Sequence, residues 1–286
     1  SRSIAGAAAL AALALGASAG AQAAEPASCQ AVRFADVGWT DITATTAATS
    51  LIAEALGYET ETKVLSVPVT YTGLAEGDID VFLGNWMPTM EADIAPYRDA
   101  GTVEVIRTNL EGAKYTLATN EAGAALGISD FNNIKDHKDA LEGKIYGIEP
   151  GNDGNRLILE MISGGPFGLD GFEVVESSEA GMLAEVQNKN DAGEPIVFLG
   201  WEPHPMNANF KMTYLSGGDD VFGPNFGGAD DALIKLNFRD RHDIGDFDAQ
   251  NPLHAGQRIF DRPLCSCARQ STQRKVQVTT FGRHAR

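Results

Sequence analysis

The chain has 286 residues, of which 43% are hydrophobic and 21% charged, enough for one large or two medium domains with hydrophobic cores. Its formal net charge of −17 excludes the basic surface that a nucleic-acid-binding protein needs. After residue 24, no stretch is apolar and long enough to suggest a membrane-spanning helix.

The N-terminus has the pattern of a secretory signal peptide. Arg2 precedes a run rich in Ala and Leu that extends from Ile4 to about Ala19, and the segment Ala21–Ala23 fits an A-x-A cleavage site. We therefore expect residues 1–23 to be removed and the mature protein to be exported and soluble.

The first half of the mature sequence alternates strand and helix patterns. Its predicted strands are Val32–Val37, Glu59–Val69 and Val81–Leu83, and its predicted helices are Thr43–Leu56, Leu74–Asp80 and Glu91–Asp99. Thr40 or Asp41 would cap the first helix, and Pro68 would mark the end of the second strand. Such alternation with short connections is typical of a doubly wound α/β fold.

The second half continues the same alternation. Its predicted strands are Lys114–Thr119, Lys144–Ile148, Phe172–Glu176 and Ile196–Gly200, and its helical segments are Phe131–Asp136, Arg156–Ile162 and Ala180–Asn188. We predict that the chain crosses to a second lobe at Lys114–Thr119 and returns near Tyr214. The predicted domains are therefore 24–113 for the first lobe, 114–215 for the second, and 216–286 for a return to the first.

One motif occurs twice. Val81–Met90 reads VFLGNWMPTM, and Val197–Met206 reads VFLGWEPHPM. The apolar triplet predicts a buried strand, the Gly is expected to let the backbone turn, and the Trp follows at the carboxyl end, where open α/β sheets bind ligands. Each Trp alone could equally be a core residue. Because the motif is repeated, we favour two lobes that each present an indole to a shared cleft.

Aromatic residues lie at predicted strand ends or on the crossing strand: Trp39, Trp86, Tyr115 and Trp201. Four aromatic faces around one cleft would form a box for a cation that cannot donate hydrogen bonds, namely a quaternary ammonium. Asp41 could place a carboxylate near the box, unless it only caps a helix. A carboxylate there favours a cationic alcohol over a zwitterion, whose own carboxylate it would repel.

The segment EPGNDGN follows the predicted strand Lys144–Ile148 and precedes a helix. Gly151, Asn152 and Gly154 would then occupy a loop whose free backbone N–H groups can meet a ligand. The alternative is an ordinary turn between a strand and a helix.

No phosphate loop, dinucleotide fingerprint or zinc pattern appears in the sequence, and the G-x-S-x-G match at Gly16–Gly20 lies inside the predicted signal peptide. We therefore expect neither catalysis nor a cofactor nor a metal. His137 and His204 have no Cys, Ser or second His at the spacing of metal ligands. We expect His137 to be solvated and His204 to lie in a loop, at most near the cleft rim. Glu202 is either solvated or a bridge between the lobes.

From about Ala229 the composition changes. The segment 229–286 has a net positive charge, and all Trp and Tyr residues precede position 215. It shows no helix or strand period, which fits either a disordered basic extension or a sequence altered by a shifted reading frame. In an oxidising compartment, Cys29 could pair with Cys265 or Cys267.

Several segments together resemble the periplasmic choline-binding proteins of glycine betaine/choline ABC importers. They are DVGWTDITATT, VLSVPVTYT, DIDVFLGNWMPTM, GAKYTLATN, IYGIEPGNDGNR, VVESSE and IVFLGWEPHPMNANF. The resemblance extends from about Glu25 to Gly228. It implies a two-lobed type II periplasmic-binding-protein fold with the ligand in the interlobe cleft, in which the chain after the second lobe rebuilds part of the first.

The resemblance also implies a function and a site. The family's aromatic box falls on Trp39, Trp86, Tyr115 and Trp201, and its hydroxyl-binding pair falls on Asp41 and Asn152. We therefore expect a periplasmic monomer that binds choline, or acetylcholine, and betaine only weakly, and that delivers its ligand to an ABC permease in the inner membrane. The alternatives are a glycine betaine receptor of the same fold, an enzyme acting on choline and a structural exported protein. The family also has a Cys that pairs with the position of Cys29.

Overall fold

The computed structural model describes residues 30–228 and 276–281. The predicted signal peptide, all three cysteines and the rest of the tail lie outside these residues. The strands are β1 Ala31–Asp36, β2 Glu59–Val64, β3 Val81–Trp86, β4 Val103–Leu110, β5 Lys114–Asn120, β6 Lys144–Tyr146, β7 Glu173–Val175, β8 Val197–Glu202, β9 Met212–Tyr214 and β10 Val276–Phe281.

The helices connect these strands and flank the sheets. They are α1 Thr40–Ala55, α2 Val67–Glu76, α3 Glu91–Asp99, α4 Glu121–Ala125, α5 Asp153–Ile162, α6 Glu179–Ala192, α7 Met206–Asn209, α8 Asp219–Phe222 and α9 Pro224–Gly228, with 3₁₀ turns at Phe131–His137 and Pro166–Gly168. Among the described residues, no helix combines the length and apolar composition that crossing a bilayer requires.

The first sheet has the strand order β2-β1-β3-β10-β4, and all its pairs are parallel. Strand β10 comes from the tail and lies between β3 and β4, although the tail sequence showed no strand period. Its position depends on pairing with two strands that are far away in sequence, which a local pattern does not record. We call this sheet with helices α1–α3 the first lobe.

The second sheet has the order β7-β6-β8-β5-β9. Strand β5 is antiparallel to β8 and β9, whereas β6 is parallel to β7 and β8. The register places Tyr115 of β5 directly opposite Trp201 of β8. We call this sheet with helices α4–α7 the second lobe.

The predictions about the N-cap of the first helix and about Pro68 are wrong. Helix α1 begins at Thr40 with Trp39 at its N-cap position, so Asp41 lies inside the first turn and caps nothing. Pro68 lies in the first turn of α2, which starts at Val67, and therefore does not end a strand. Proline suits a helix start because its missing N–H would have no partner there and its φ is already helical.

The glycines of the repeated motif do not turn the chain, contrary to the prediction. Gly84 and Gly200 lie inside β3 and β8. A Cβ on Gly200 would lie 2.8 Å from Met212 Cε and 3.1 Å from Ala118 Cβ. The glycine thus allows neighbouring strands and their side chains to pack closely, and the strand runs straight on to Trp201.

The two lobes contact each other directly. Arg156 of α5 donates to the Thr89 carbonyl oxygen at 2.9 Å and to Asp93 Oδ2 at 3.2 Å. One cluster of buried apolar side chains contains residues of both sheets, including Phe82 and Phe198.

Candidate functional site

A small cavity lies where the lobes meet. It is lined by Trp39, Trp86, Tyr115, Ile148, Asn152 and Trp201. Five of the six residues predicted for the site therefore line one cavity, and the sixth, Asp41, accepts a hydrogen bond from Trp201. Ile148 was not predicted, because nothing distinguishes its side chain from other apolar residues at strand ends.

The aromatic rings reach the cavity from both lobes. Trp39 follows β1 and Trp86 ends β3, whereas Tyr115 and Trp201 lie on paired strands of the second sheet. The Tyr115 ring lies 5.8 Å from that of Trp86 and 6.3 Å from that of Trp201, the latter edge to face. All four residues are at most 5% exposed, so their faces are held in a water-poor environment.

Two of the indoles donate to carboxylates of the opposite lobe. Trp39 Nε1 donates to Glu149 Oε1 at 2.8 Å, and Trp201 Nε1 donates to Asp41 Oδ1 at 3.1 Å. Each carboxylate fixes the orientation of one ring and adds negative charge beside the cavity. Glu149 was missed by the sequence analysis, although its place just after β6 and before Pro150 was a usable signal.

Only one oxygen of the Asp41 carboxylate has a hydrogen-bond partner. Its Oδ2 atom is buried without a hydrogen-bond partner. Burial raises the pKa of Asp41 from 3.8 to about 6, although the hydrogen bond from Trp201 opposes the increase. The group therefore has one oxygen available to accept a hydrogen bond, and its charge titrates near neutral pH.

Asn152 occupies the N-cap position of α5. Its Oδ1 accepts from the Asn155 backbone N–H and from the Tyr115 hydroxyl, both at 3.1 Å, and its Nδ2 donates to Asp153 Oδ1 at 3.0 Å. An amide nitrogen carries two hydrogens, so one remains for a ligand. Burial raises the pKa of Asp153 to about 7.

Gly154 allows Tyr115 to reach its place. A Cβ added at this glycine would lie 2.1 Å from the Tyr115 Oη and 2.9 Å from Leu199 Cδ1. Only hydrogen fits between the start of α5 and the Tyr115 ring. The sequence predicted that Gly154 lies in a loop whose backbone N–H groups meet a ligand. The structure places it in the first turn of α5 instead.

His204 lies in the loop between β8 and α7, as predicted, and its side chain is buried there. Its Nε2 lies 3.0 Å from Glu179 Oε1, and its ring lies 4.8 Å from that of Trp201. Glu202 pairs with Lys114 of the same sheet at 3.4 Å and does not join the lobes. Within the part of the chain that is described, no cluster of three or more His, Cys, Asp or Glu residues could hold a metal ion.

Known proteins resemble this chain in sequence and in fold. Residues 30–247 match the family OpuAC, the substrate binding domain of ABC-type glycine betaine transport system. A solved ABC-transporter choline binding protein in complex with choline is 74% identical, with a TM-score of 0.70 over 71% of this chain and 70% of that chain. The glycine/betaine/L-proline-binding protein ProX from Borrelia burgdorferi is 26% identical, with a TM-score of 0.61 over 70% of this chain and 72% of that chain.

A sequence relative without an assigned role also matches. The uncharacterized protein ORF1 of Chromohalobacter salexigens is 53% identical over 129 residues, which cover 45% of this chain and 83% of that protein.

Proposed function

Because the chain belongs to the OpuAC family of substrate-binding domains of ABC-type glycine betaine transport systems, we propose that it is a choline receptor of an ABC importer. Its fold is the two-lobed α/β fold of type II substrate-binding proteins. The observation that carries the proposal is the cavity between the lobes, which is lined by four aromatic rings and bordered by two carboxylates.

The trimethylammonium group of choline matches the chemistry of the aromatic part of the cavity. It carries a positive charge but no N–H, so it is recognised by ring faces and not by hydrogen-bond acceptors. The four aromatic rings would surround it. The N–H groups of Trp39 and Trp201 and the hydroxyl of Tyr115 donate to protein partners. Each desolvated cation–π contact contributes up to about 2 kcal/mol.

The hydroxyl of choline would be held by Asp41 and Asn152. The support is that Asp41 has a buried oxygen without a partner and Asn152 has an amide hydrogen to donate. A hydroxyl both donates and accepts, so it could satisfy the two groups together. Asp41 would then act on the ligand and also on the orientation of Trp201.

Glycine betaine is the second candidate, since the family binding domain and the ProX protein are associated with it by name. Its carboxylate would lie near Asp41 and Glu149, and like charges in a buried site repel. The same charges favour choline and its ester acetylcholine, which carry only the positive charge. We therefore rank betaine below choline.

We propose that the chain is a monomeric binding protein and not an enzyme, and that it works in the periplasm and passes choline to a permease of the inner membrane. We also propose lobe boundaries at 24–113 and 114–215 with a return over 216–286. The separation of β1–β4 from β5–β9 into different sheets supports this division.

Isothermal titration calorimetry with choline, acetylcholine and glycine betaine tests the ligand assignment. We expect choline to bind most tightly, and Asp41→Asn to narrow the difference between choline and betaine because it removes the repelling charge. Tighter binding of betaine than of choline by the wild-type protein would contradict the choline assignment and favour the second candidate.

The affinity for choline should depend on pH. Burial raises the pKa of Asp41 from 3.8 to about 6, so the carboxyl is largely protonated at pH 5 and ionised at pH 7. The cation prefers the ionised form, and affinity is expected to rise by about tenfold between these values. The stability of the ligand-free protein has the opposite pH dependence. Its free energy of unfolding should fall as pH rises from about 4 to about 6, because the folded protein must then bury a charged carboxylate.

Calorimetry across this pH range measures the change directly. Asp41→Asn should flatten the profile. Asp153→Asn is the control, since the pKa of Asp153 is about 7 and its carboxyl could otherwise be responsible. A pH profile that survives in the Asp41 variant would contradict the assignment.

A further inference from the structure

We propose that Glu179 holds the lobes closed by capping helix α1 from the opposite lobe. Glu179 belongs to α6 of the second lobe and does not line the cavity. The inference rests on the proposed function, since it describes how that same site closes on its ligand. It assigns a positioning role to a residue that no ligand contact would reveal.

Helix α1 has no cap of its own. It has 16 residues, and Trp39 at its N-cap position makes no side-chain hydrogen bond to the helix. Instead, the Thr40 backbone N–H donates to Glu179 Oε2 at 2.8 Å, and the Thr40 hydroxyl donates to Glu179 Oε1. The amino end of a helix carries partial positive charge and free N–H groups, so a carboxylate is stabilising there.

Glu179 is held in place by His204. The Met206 backbone N–H donates to His204 Nδ1 at 3.0 Å, so the proton of the neutral ring is on Nε2, which donates to Glu179 Oε1 at 3.0 Å. Burial by itself would raise the pKa of Glu179, but the hydrogen bonds from His204 and Thr40 outweigh it and keep the pKa below its ordinary value. The carboxylate therefore remains charged.

The contacts form a closed circuit with the aromatic box. The ring of His204 packs on Trp201, and Trp201 donates to Asp41, which follows Thr40 in α1. Thr40 and Asp41 belong to the first lobe, and the other residues of the circuit, Glu179 included, belong to the second. Separation of the lobes breaks both the cap and the Trp201–Asp41 bond, so a closed cap and a correctly oriented Trp201 occur together.

Stopped-flow measurement of tryptophan fluorescence with choline tests this role. All three Trp residues of the chain line the cavity, so the signal reports on the site alone. We expect Glu179→Ala to speed choline dissociation by about 10- to 100-fold, because it removes hydrogen bonds to a charged group whose free energy corresponds to a change of that size. The association rate should change by less than about threefold. Glu179→Gln, which keeps an acceptor for Thr40, should lie between Glu179→Ala and wild type.

The control variant is Glu173→Gln, which removes one charge from an exposed position of the same lobe and should leave both rates unchanged. The melting temperature of each ligand-free protein shows whether it folds. If Glu179→Ala does not fold, the dissociation rate of Glu179→Gln provides the test. An unchanged dissociation rate in a folded Glu179 variant would overturn the proposal.

Failure of the proposed function has a different signature. It would appear as wild-type protein whose fluorescence does not respond to choline. X-ray scattering of the ligand-free proteins would then decide the role of Glu179 by itself. A larger radius of gyration for Glu179→Ala than for wild type would support it, and identical scattering curves would overturn it.

Discussion

Replacing Trp201 with alanine is expected to weaken choline binding by about 100- to 1000-fold. The change removes a cation–π face worth up to about 2 kcal/mol and the apolar surface that the indole contributes to the cavity. It also removes the N–H that donates to Asp41, so a buried carboxylate would lose its hydrogen bond. Calorimetry with choline measures the loss.

Trp201→Phe is the matched variant, because it keeps an aromatic face and removes only the N–H and part of the ring. We expect a loss of about tenfold in affinity, clearly smaller than that of the alanine variant. Melting temperatures show whether each protein is folded, since Trp201 is only 3% exposed. Choline affinity equal to wild type in a folded Trp201→Ala protein would contradict the proposed aromatic box.

Adding a single methyl group at Gly154 is expected to disrupt the site by displacing the Tyr115 ring. In Gly154→Ala the new Cβ would lie 2.1 Å from Tyr115 Oη, so the ring or helix α5 must move. Overpacking of this kind costs about 1–3 kcal/mol of stability, which corresponds to a melting temperature lower by about 2–10 °C. Tyr115 also packs against Trp86, Trp201 and Phe222, and its displacement should weaken choline binding by about 100-fold.

The double variant Gly154→Ala/Tyr115→Phe tests the cause. Removing the Tyr115 hydroxyl removes the atom that lies closest to the new methyl group, so stability should partly recover relative to Gly154→Ala. Tyr115→Phe alone loses the hydrogen bond to Asn152 and completes the double-mutant cycle. Strictly additive effects on the free energy of unfolding would show that the two side chains do not clash.

Local sequence patterns were sufficient to predict where the aromatic residues lie. A strand of alternating or continuous apolar residues followed by Trp places the ring at the carboxyl end of a sheet, and parallel strands bring such ends together. Trp39, Trp86, Tyr115 and Trp201 accordingly line one cavity. Helix α3 was predicted with its observed bounds, Glu91–Asp99. The choline-binding role of these residues stays a prediction.

Local patterns were less reliable where a residue type suits two structures. Pro68 is compatible with a strand end and with the first turn of a helix, and the structure has the helix. Asp41 resembles a helix cap in sequence, but in the structure its carboxylate accepts from Trp201, a residue 160 positions away. The sequence therefore singled out Asp41 but not its contact with Trp201.

The chain sequence by itself determined the two α/β lobes and the aromatic cavity, because periodicity and composition act over a few residues. Only the tertiary structure decided which polar groups surround that cavity. Glu149 meets Trp39 across 110 positions, Glu179 meets Thr40 across 139, and β10 joins the first sheet from the tail. The first two contacts exist only when the lobes pack together, since their geometry depends on the position of one whole sheet relative to the other, and the third needs strands that are far apart in sequence to pair.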